Sequence, residues 1–542
     1  MLFNSYEFIL AFLPATFVLF VLLGRFSRSW ALGWLIVASV FFYACWRPVN
    51  VLIIAPSIVV NYLLARALLR LGSQEKRAAA QLVLVLGIVF NIAFLGYFKY
   101  ANFAVRAVND AFGTGWVLEQ IILPLGISFI TFQKIAFLID VYSQRVQAFT
   151  LRDYCLFVLF FPQLIAGPIV HYREMMPQFH RAACRFDAAD VSVGLTLFVF
   201  GLFKKVCLAD GIAPSVNALF EQASAGGAIS LVPAWMAAIG FTLQIYFDFS
   251  GYTDMALGIA RCFGIRLPPN FDSPLKASSI IDFWLRWHMT LTRFLTAYVY
   301  NPLALTLTRR RLARGKLGLV GRNTTLGAFL YLLMFPTLLT MLLSGIWHGA
   351  GYLFVLWGLL HGVYLTVNHA WRFTAAKLWR DRERYERVMK PVGFVLTFAC
   401  VAISMVVFRA PTIDAAGNLL QGMFGLHGIA LPVMLPEGLG PLARWPENFG
   451  VAKDFGSEAY VGAIGVWIIL LGAIALVGPN TLQMLARYEP ALGYRSGAAA
   501  TDLGKTSLAW NPSAPWAILL SVLVVIAISY LSGQSEFLYW QF

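Results

Sequence analysis

The chain has 542 residues, of which 59% are hydrophobic, 15% aromatic and only 12% charged, about half the charged share of an ordinary soluble domain. No water-soluble fold hides that much apolar surface, and a mean hydropathy of +0.72 makes the bilayer the solvent. Disordered, collagen-like and disulfide-stapled secreted chains are excluded, and the net charge of +15 sits in short loops between apolar segments, which is the positive-inside pattern rather than a nucleic-acid surface.

In chain order, apolar stretches long enough to cross a membrane, or to bury themselves within it, fall near 6–24, 30–46, 48–65, 82–98, 121–139, 154–170, 191–208, 231–247, 324–343, 352–371, 391–408, 460–478 and 514–532. The first lacks a charged n-region and a small-residue cleavage site, so it reads as a retained span. Between 250 and 305 the apolar pattern is interrupted by Asp254, Arg261, Asp272, Asp282, Arg286, His288 and Arg293, which predicts partly buried helices packed inside protein. The six cysteines include no Cys-x-x-Cys pair and read as small core hydrophobes.

Orientation follows from the basic loops. The run from Arg309 to Arg322 and the stretch from Arg372 to Lys390, with seven basic residues, are predicted cytoplasmic. The stretch 409–459, with three basic and five acidic residues, is then extracytoplasmic, as are both termini. This divides the chain into a core over 1–410, an extracytoplasmic loop over 411–459, and C-terminal spans with an aromatic tail over 460–542.

Four places carry chemistry. His348 follows Trp347 and is bracketed by Gly345, Gly349 and Gly351, which weaken a helix and open the backbone. It reads either as a general base for activating a hydroxyl or as a structural histidine bonded between helices. His361, thirteen residues on, lies too far along a continuous helix to share a proton with it unless the helix breaks between them. In the run 282–288, Arg286 and Arg293 are expected on one helix face, while His288 reads either as a donor to an oxyanion beside His348 or as part of an interfacial anchor. In the run 246–254, Asp248 is expected to pair with an arginine such as Arg286 as a structural pin, rather than to act as a catalytic acid. At the C-terminus, Tyr539 reads as interfacial or as a nucleophile able to accept an acyl group. Metal-ligand spacing, a Walker loop and a G-x-G-x-x-G fingerprint are absent, so neither a metal nor an intrinsic ATPase is expected.

Several motifs together carry a family resemblance: Phe-Trp-x-Arg-Trp-His at 283–288, Gly-Ile-Trp-His-Gly-Ala at 345–350, Trp-Gly-x-x-His-Gly at 357–362, and further matches at 95–103, 123–129, 161–169 and 246–256. The chain resembles the membrane-bound O-acyltransferases, in particular their bacterial alginate O-acetyltransferase branch. The resemblance implies an all-α polytopic membrane protein of the MBOAT fold, with transmembrane and re-entrant helices in a ring around a central tunnel. It implies His348 as the essential histidine, His288 as the second family position and Tyr539 as a covalent relay; Trp347, Arg286, Asp248 and His361 are the residues expected to bind substrate. The implied donor is acetyl-CoA or a carrier-bound acyl thioester. The implied acceptor is an extracytoplasmic polysaccharide at the bacterial inner membrane, with an SGNH-type partner. After Tyr300 the chain departs from the family's Gly-Gly-Asn-Arg turn, carrying Asn-Pro-Leu-Ala-Leu-Thr instead, which leaves donor and acceptor identity open. A transporter or flippase for a lipid-linked glycan, and an inert scaffold for a soluble enzyme, are the competing readings.

Overall fold

A computed structural model describes residues 1–181, 184–320, 324–379, 381–431, 452–453, 458–494, 508–531 and 538. Apart from a two-residue parallel pairing of Ala430–Leu431 with Ala452–Lys453, the regular structure among these residues is helical. Eight helices among the described residues are long and apolar enough to cross a membrane: Glu7–Phe26, Pro48–Ser73, Arg77–Phe112, Ala188–Ser224, Leu231–Cys262, Leu326–His348, Tyr352–Ala375 and Glu383–Arg409. Arg28–Ala44, Gly462–Leu476 and Ala514–Tyr530 are shorter apolar helices. An all-α polytopic membrane protein is therefore what the pattern of apolar runs encodes, since a helix satisfies its own backbone in lipid.

Two of the thirteen apolar stretches behave differently. The stretch 121–139 becomes helical only from Ile127, after Gly126 at φ 70°; a Cβ there would meet the Leu164 carbonyl oxygen at 2.7 Å. The stretch 154–170 is no single helix: Leu151–Leu159 stops at Phe160 (φ −52°, ψ 110°), and one turn, Phe161–Leu164, follows around Pro162 before the chain leaves helical geometry. Pro162 falls in the first turn of the new helix, where its missing N–H leaves no helical hydrogen bond unmade. Nearly every residue from Tyr154 to Val170 is buried, so the broken backbone stays within protein.

The described chain forms two compact units. One comprises the described residues of 1–203, 250–270 and 481–538, and the other those of 204–249 and 271–480. The first unit has an aromatic core in which Phe8, Phe12, Phe42 and Phe161 pack ring to ring at 5.3–6.3 Å between centroids. Some of its buried polar groups pair with one another: Asn61 and Asn91 exchange amide hydrogen bonds, and the Lys134 amine donates to Ser57 Oγ at 2.5 Å.

The second unit contains the motifs singled out around His288, His348 and His361. Its central feature is a helical hairpin, Phe335–His348 followed by Tyr352–Leu378. The two helices touch backbone to backbone: a Cβ on Gly358 would lie 2.4 Å from the Met341 carbonyl oxygen, and one on Gly345 would lie 2.2 Å from the Phe354 carbonyl oxygen. Only glycine fits such a crossing. Gly358→Val is expected to destabilise the folded protein by about 1–3 kcal/mol through overpacking, read as a lower Tm in detergent, whereas the same change at the uncrowded Gly472 is not.

Candidate active site

The helix carrying His348 ends at that residue because Gly349 is extended (φ −159°, ψ 157°), and Gly351 in the same conformation begins the return helix. The three-residue gap turns the chain back so that His348 and His361 both pack against Trp357. A Cβ on Gly349 would strike the Phe354 ring at 2.2 Å. His348, 5% exposed, is thereby held at a helix end within an aromatic wall: its ring centroid lies 5.0 Å from Trp347, 5.0 Å from Trp357 and 5.6 Å from Phe408.

His288 reaches the same place from another direction. It lies between two short helices, Ile280–Arg286 and Met289–Leu295, with φ 43° and ψ 51°. A non-glycine residue in this left-handed region carries a local cost of about 1–2 kcal/mol, which full burial of the ring holds in place. The two imidazole centroids are 6.2 Å apart, and Phe249 closes the other side of His288 at 4.9 Å. Burial pushes the His288 imidazole down, to about 3. At neutral pH it is an uncharged ring, able to offer one N–H and one lone pair.

Behind this layer lies a saturated one. His361 is fully buried; Trp284 Nε1 donates to its Nδ1 at 3.3 Å, and its Nε2 lies 2.9 Å from Ser404 Oγ. Ser404 gives its own proton to the Val401 carbonyl at 2.7 Å, so its oxygen accepts from His361, which fixes a neutral Nε2–H tautomer. Trp357 stands between the two histidines, 5.0 Å from His348 and 4.7 Å from His361.

The arrangement, a base-capable imidazole beside a second, neutral one in dry aromatic surroundings, suits proton transfer from a hydroxyl with stabilisation of a developing oxyanion. Residues 142–317 match the model of the membrane-bound O-acyltransferase family, a span that includes His288. A peptidoglycan O-acetyltransferase of Helicobacter pylori is 38% identical over 476 residues, covering 83% of this chain and 84% of that protein. A probable alginate O-acetylase AlgI of Pseudomonas aeruginosa is 37% identical across the full length of both chains. The chain belongs to the membrane-bound O-acyltransferase family. A teichoic acid D-alanyltransferase of Bacillus subtilis is more distantly similar, 27% identical over 54% of this chain and 69% of its own.

Several expectations for this O-acyltransferase are corrected by the structure. Asp248 does not pair with Arg286. Its carboxylate, 1% exposed, meets the Lys205 amine at 2.6 Å, and Lys205 also reaches Asp210 at 2.7 Å. Arg286 is engaged nearer home: its Nε donates to Asp282 at 2.8 Å, one helical turn away, and its Nη1 to the Asp272 carbonyl at 3.4 Å. Arg286 and Arg293 do not share a helix face, because the left-handed turn at His288 puts them on different helices. His361, fully buried, has both ring nitrogens bonded to protein. Tyr539 lies outside the described residues.

Sequence reasoning missed Lys205, Trp357 and Ser404. Lys205 was legible as a lysine inside an apolar run, where a buried charge needs a counter-charge. Trp357 begins one of the quoted motifs, but its place between two histidines depends on the hairpin. Among the described residues no three His, Cys, Asp or Glu side chains gather to hold a metal ion.

The depressed His288 pKa has a direct consequence for stability. The unfolded chain takes up a proton near pH 6.5 that the folded site refuses until about pH 3, so the folded state loses stability as pH falls through that window. His288→Gln is expected to flatten the fall in Tm between pH 6.5 and pH 4 relative to the parent protein, measured in the same detergent.

Proposed function

We propose that this O-acyltransferase moves an acetyl group from a cytoplasmic thioester, acetyl-CoA or a carrier-bound acyl group, to hydroxyls of an extracytoplasmic polysaccharide. The observation that carries the reading is the pairing of His348 with His288, ring centroids 6.2 Å apart, at the glycine-bounded end of a membrane helix. The names of the similar proteins support the acceptor class, since alginate and peptidoglycan are both glycan polymers and the transferred group named is acetyl.

In this mechanism His348 takes the proton of the acceptor hydroxyl as its oxygen attacks the thioester carbonyl. The tetrahedral intermediate collapses with cleavage of the C–S bond, and the imidazolium returns its proton to the departing thiolate. His288, neutral at pH 7, points a hydrogen bond rather than a charge at the oxyanion. Trp347 packs on the His348 ring at 5.0 Å and holds the reacting groups apart from water. Lys205 and Asp248 act at a distance: their ion pair anchors the helix segment whose next residue, Phe249, packs on His288. Basic cytoplasmic loops around Arg309–Lys316 steer an anionic donor.

Delivery to the polymer runs through an SGNH-type partner outside the membrane or through an acyl ester on Tyr539. The protein resides in the bacterial inner membrane with both termini outside. A flippase for a lipid-linked glycan consumes no thioester, and an inert scaffold leaves thioester turnover to its partner.

His348→Ala in purified protein with radiolabelled acetyl-CoA is expected to lower transfer at least 100-fold, about what losing a general base costs; transfer at the parent rate removes His348 from the mechanism. For the relay, intact-mass analysis of the C-terminal peptide during turnover is expected to show an acyl adduct that Tyr539→Phe abolishes, and an unmodified peptide under active turnover excludes it.

A further inference from the structure

The two layers around Trp357 differ in one respect. On the His361 side every donor has an acceptor: Trp284 Nε1–H on His361, His361 Nε2–H on Ser404, and the Ser404 hydroxyl on the Val401 carbonyl. Two buried donors of the hairpin itself are spare. The indole N–H of Trp357, a residue 2% exposed, and the hydroxyl of Ser344, fully buried, have no hydrogen-bond partner among the described residues.

Neither omission is routine. Helical Ser and Thr side chains commonly bond the carbonyl four residues back. On the same helix Thr340 does so to Pro336 at 2.7 Å, yet Ser344, one turn further and one turn before His348, does not. Trp357 is not free to swing toward another acceptor, because its ring is packed between His348 and His361 and against Phe408 at 5.2 Å and Trp284 at 5.9 Å. A buried donor left unpaired is costly, and an orphan of this kind calls for an explanation such as a catalytic role.

We propose that the Trp357 indole N–H and the Ser344 hydroxyl are hydrogen-bond donors to the carbonyl oxygen of the acyl thioester, joining His288 in stabilising the oxyanion that forms there. The inference rests on the acyl-transfer reading above and adds two catalytic residues to it. The chemistry of the surroundings selects the ligand. Trp347, Trp357 and Phe408 around His348 form an aromatic wall, which suits a neutral carbonyl better than a standing anion. Negative charge appears on that oxygen only as the hydroxyl oxygen bonds to the carbonyl carbon, and it is withdrawn when the C–S bond breaks and the thiol leaves. Donors placed in advance in a dry site act at that moment without reorganising.

The test compares Trp357→Phe, which keeps a ring and removes the N–H, and Ser344→Ala with the parent enzyme. Each variant is expected to lower kcat by about 10- to 1,000-fold, the range for losing one oxyanion donor, with donor KM little changed. Two competitive inhibitors separate a hydrogen bond from a loss of shape. These are S-trifluoroacetonyl-coenzyme A, whose hydrated ketone imitates the tetrahedral intermediate, and S-ethyl-coenzyme A, which has no carbonyl. Trp357→Phe is expected to weaken the first at least 10-fold and leave the second unchanged. Equal weakening of both, a kcat at the parent value in either variant, or a rise confined to the acceptor's KM would each overturn the proposal. If Trp357→Phe does not yield folded protein, the kcat of Ser344→Ala and its inhibitor pair decide by the same criteria. His348→Ala tests the underlying acyl-transfer reading separately, so retained transfer in that variant marks a failure of the reading and not of the two donors.

Discussion

The backbone contact between the helices Phe335–His348 and Tyr352–Leu378, at Gly345 and Gly358, sets the distance on which the candidate site depends. With side chains at those positions the helices would stand further apart, and the contact of His348 with Trp357 at 5.0 Å would not close. In a bilayer the hydrophobic effect does little to draw helices together, so close packing of small residues has to supply the attraction. The glycines at 349 and 351 end the helix, and the His348 imidazole occupies the resulting terminus.

Charge in this chain is handled by short-range partnership. Lys205 serves both Asp248 and Asp210, Arg286 serves Asp282, and in the other unit Arg261 serves Asp190 at 2.7 Å. Removing one member of a buried pair leaves the other uncompensated, which is far more costly than the pair itself is stabilising. The Lys205–Asp248 bridge is therefore best understood as a fixed point for the helix segment that places Phe249 against His288, with no requirement that either charge meet substrate.

Three histidines of the second unit, His288, His348 and His361, differ in environment although they share one side-chain type. His361 is saturated, with a tautomer dictated by Trp284 and Ser404. His288 is held neutral by burial in a strained turn. His348 stands at the open end of a helix beside two unused donors. His288, His348 and His361 thus lie along one aromatic column, and only the first two belong to the proposed chemistry.

Much of this was legible in the residue order. The apolar runs located eleven of the helices, because a bilayer-thick apolar stretch has no alternative to helix, and the glycine bracket around His348 marked a backbone break directly. The stretch 154–170 was harder, since hydropathy reports burial without reporting that Phe160 and Pro162 interrupt the helix. Ion pairing was not readable either: Asp248 lies 43 positions from Lys205 and 38 from Arg286, and sequence separation does not rank them. Composition and periodicity determined the solvent, the helical class and the residues able to do chemistry, because those depend on local transfer energies. Which histidine is saturated, which charge meets which, and which donors are left over was decided only when the helices packed, because each depends on distances between segments remote in the chain.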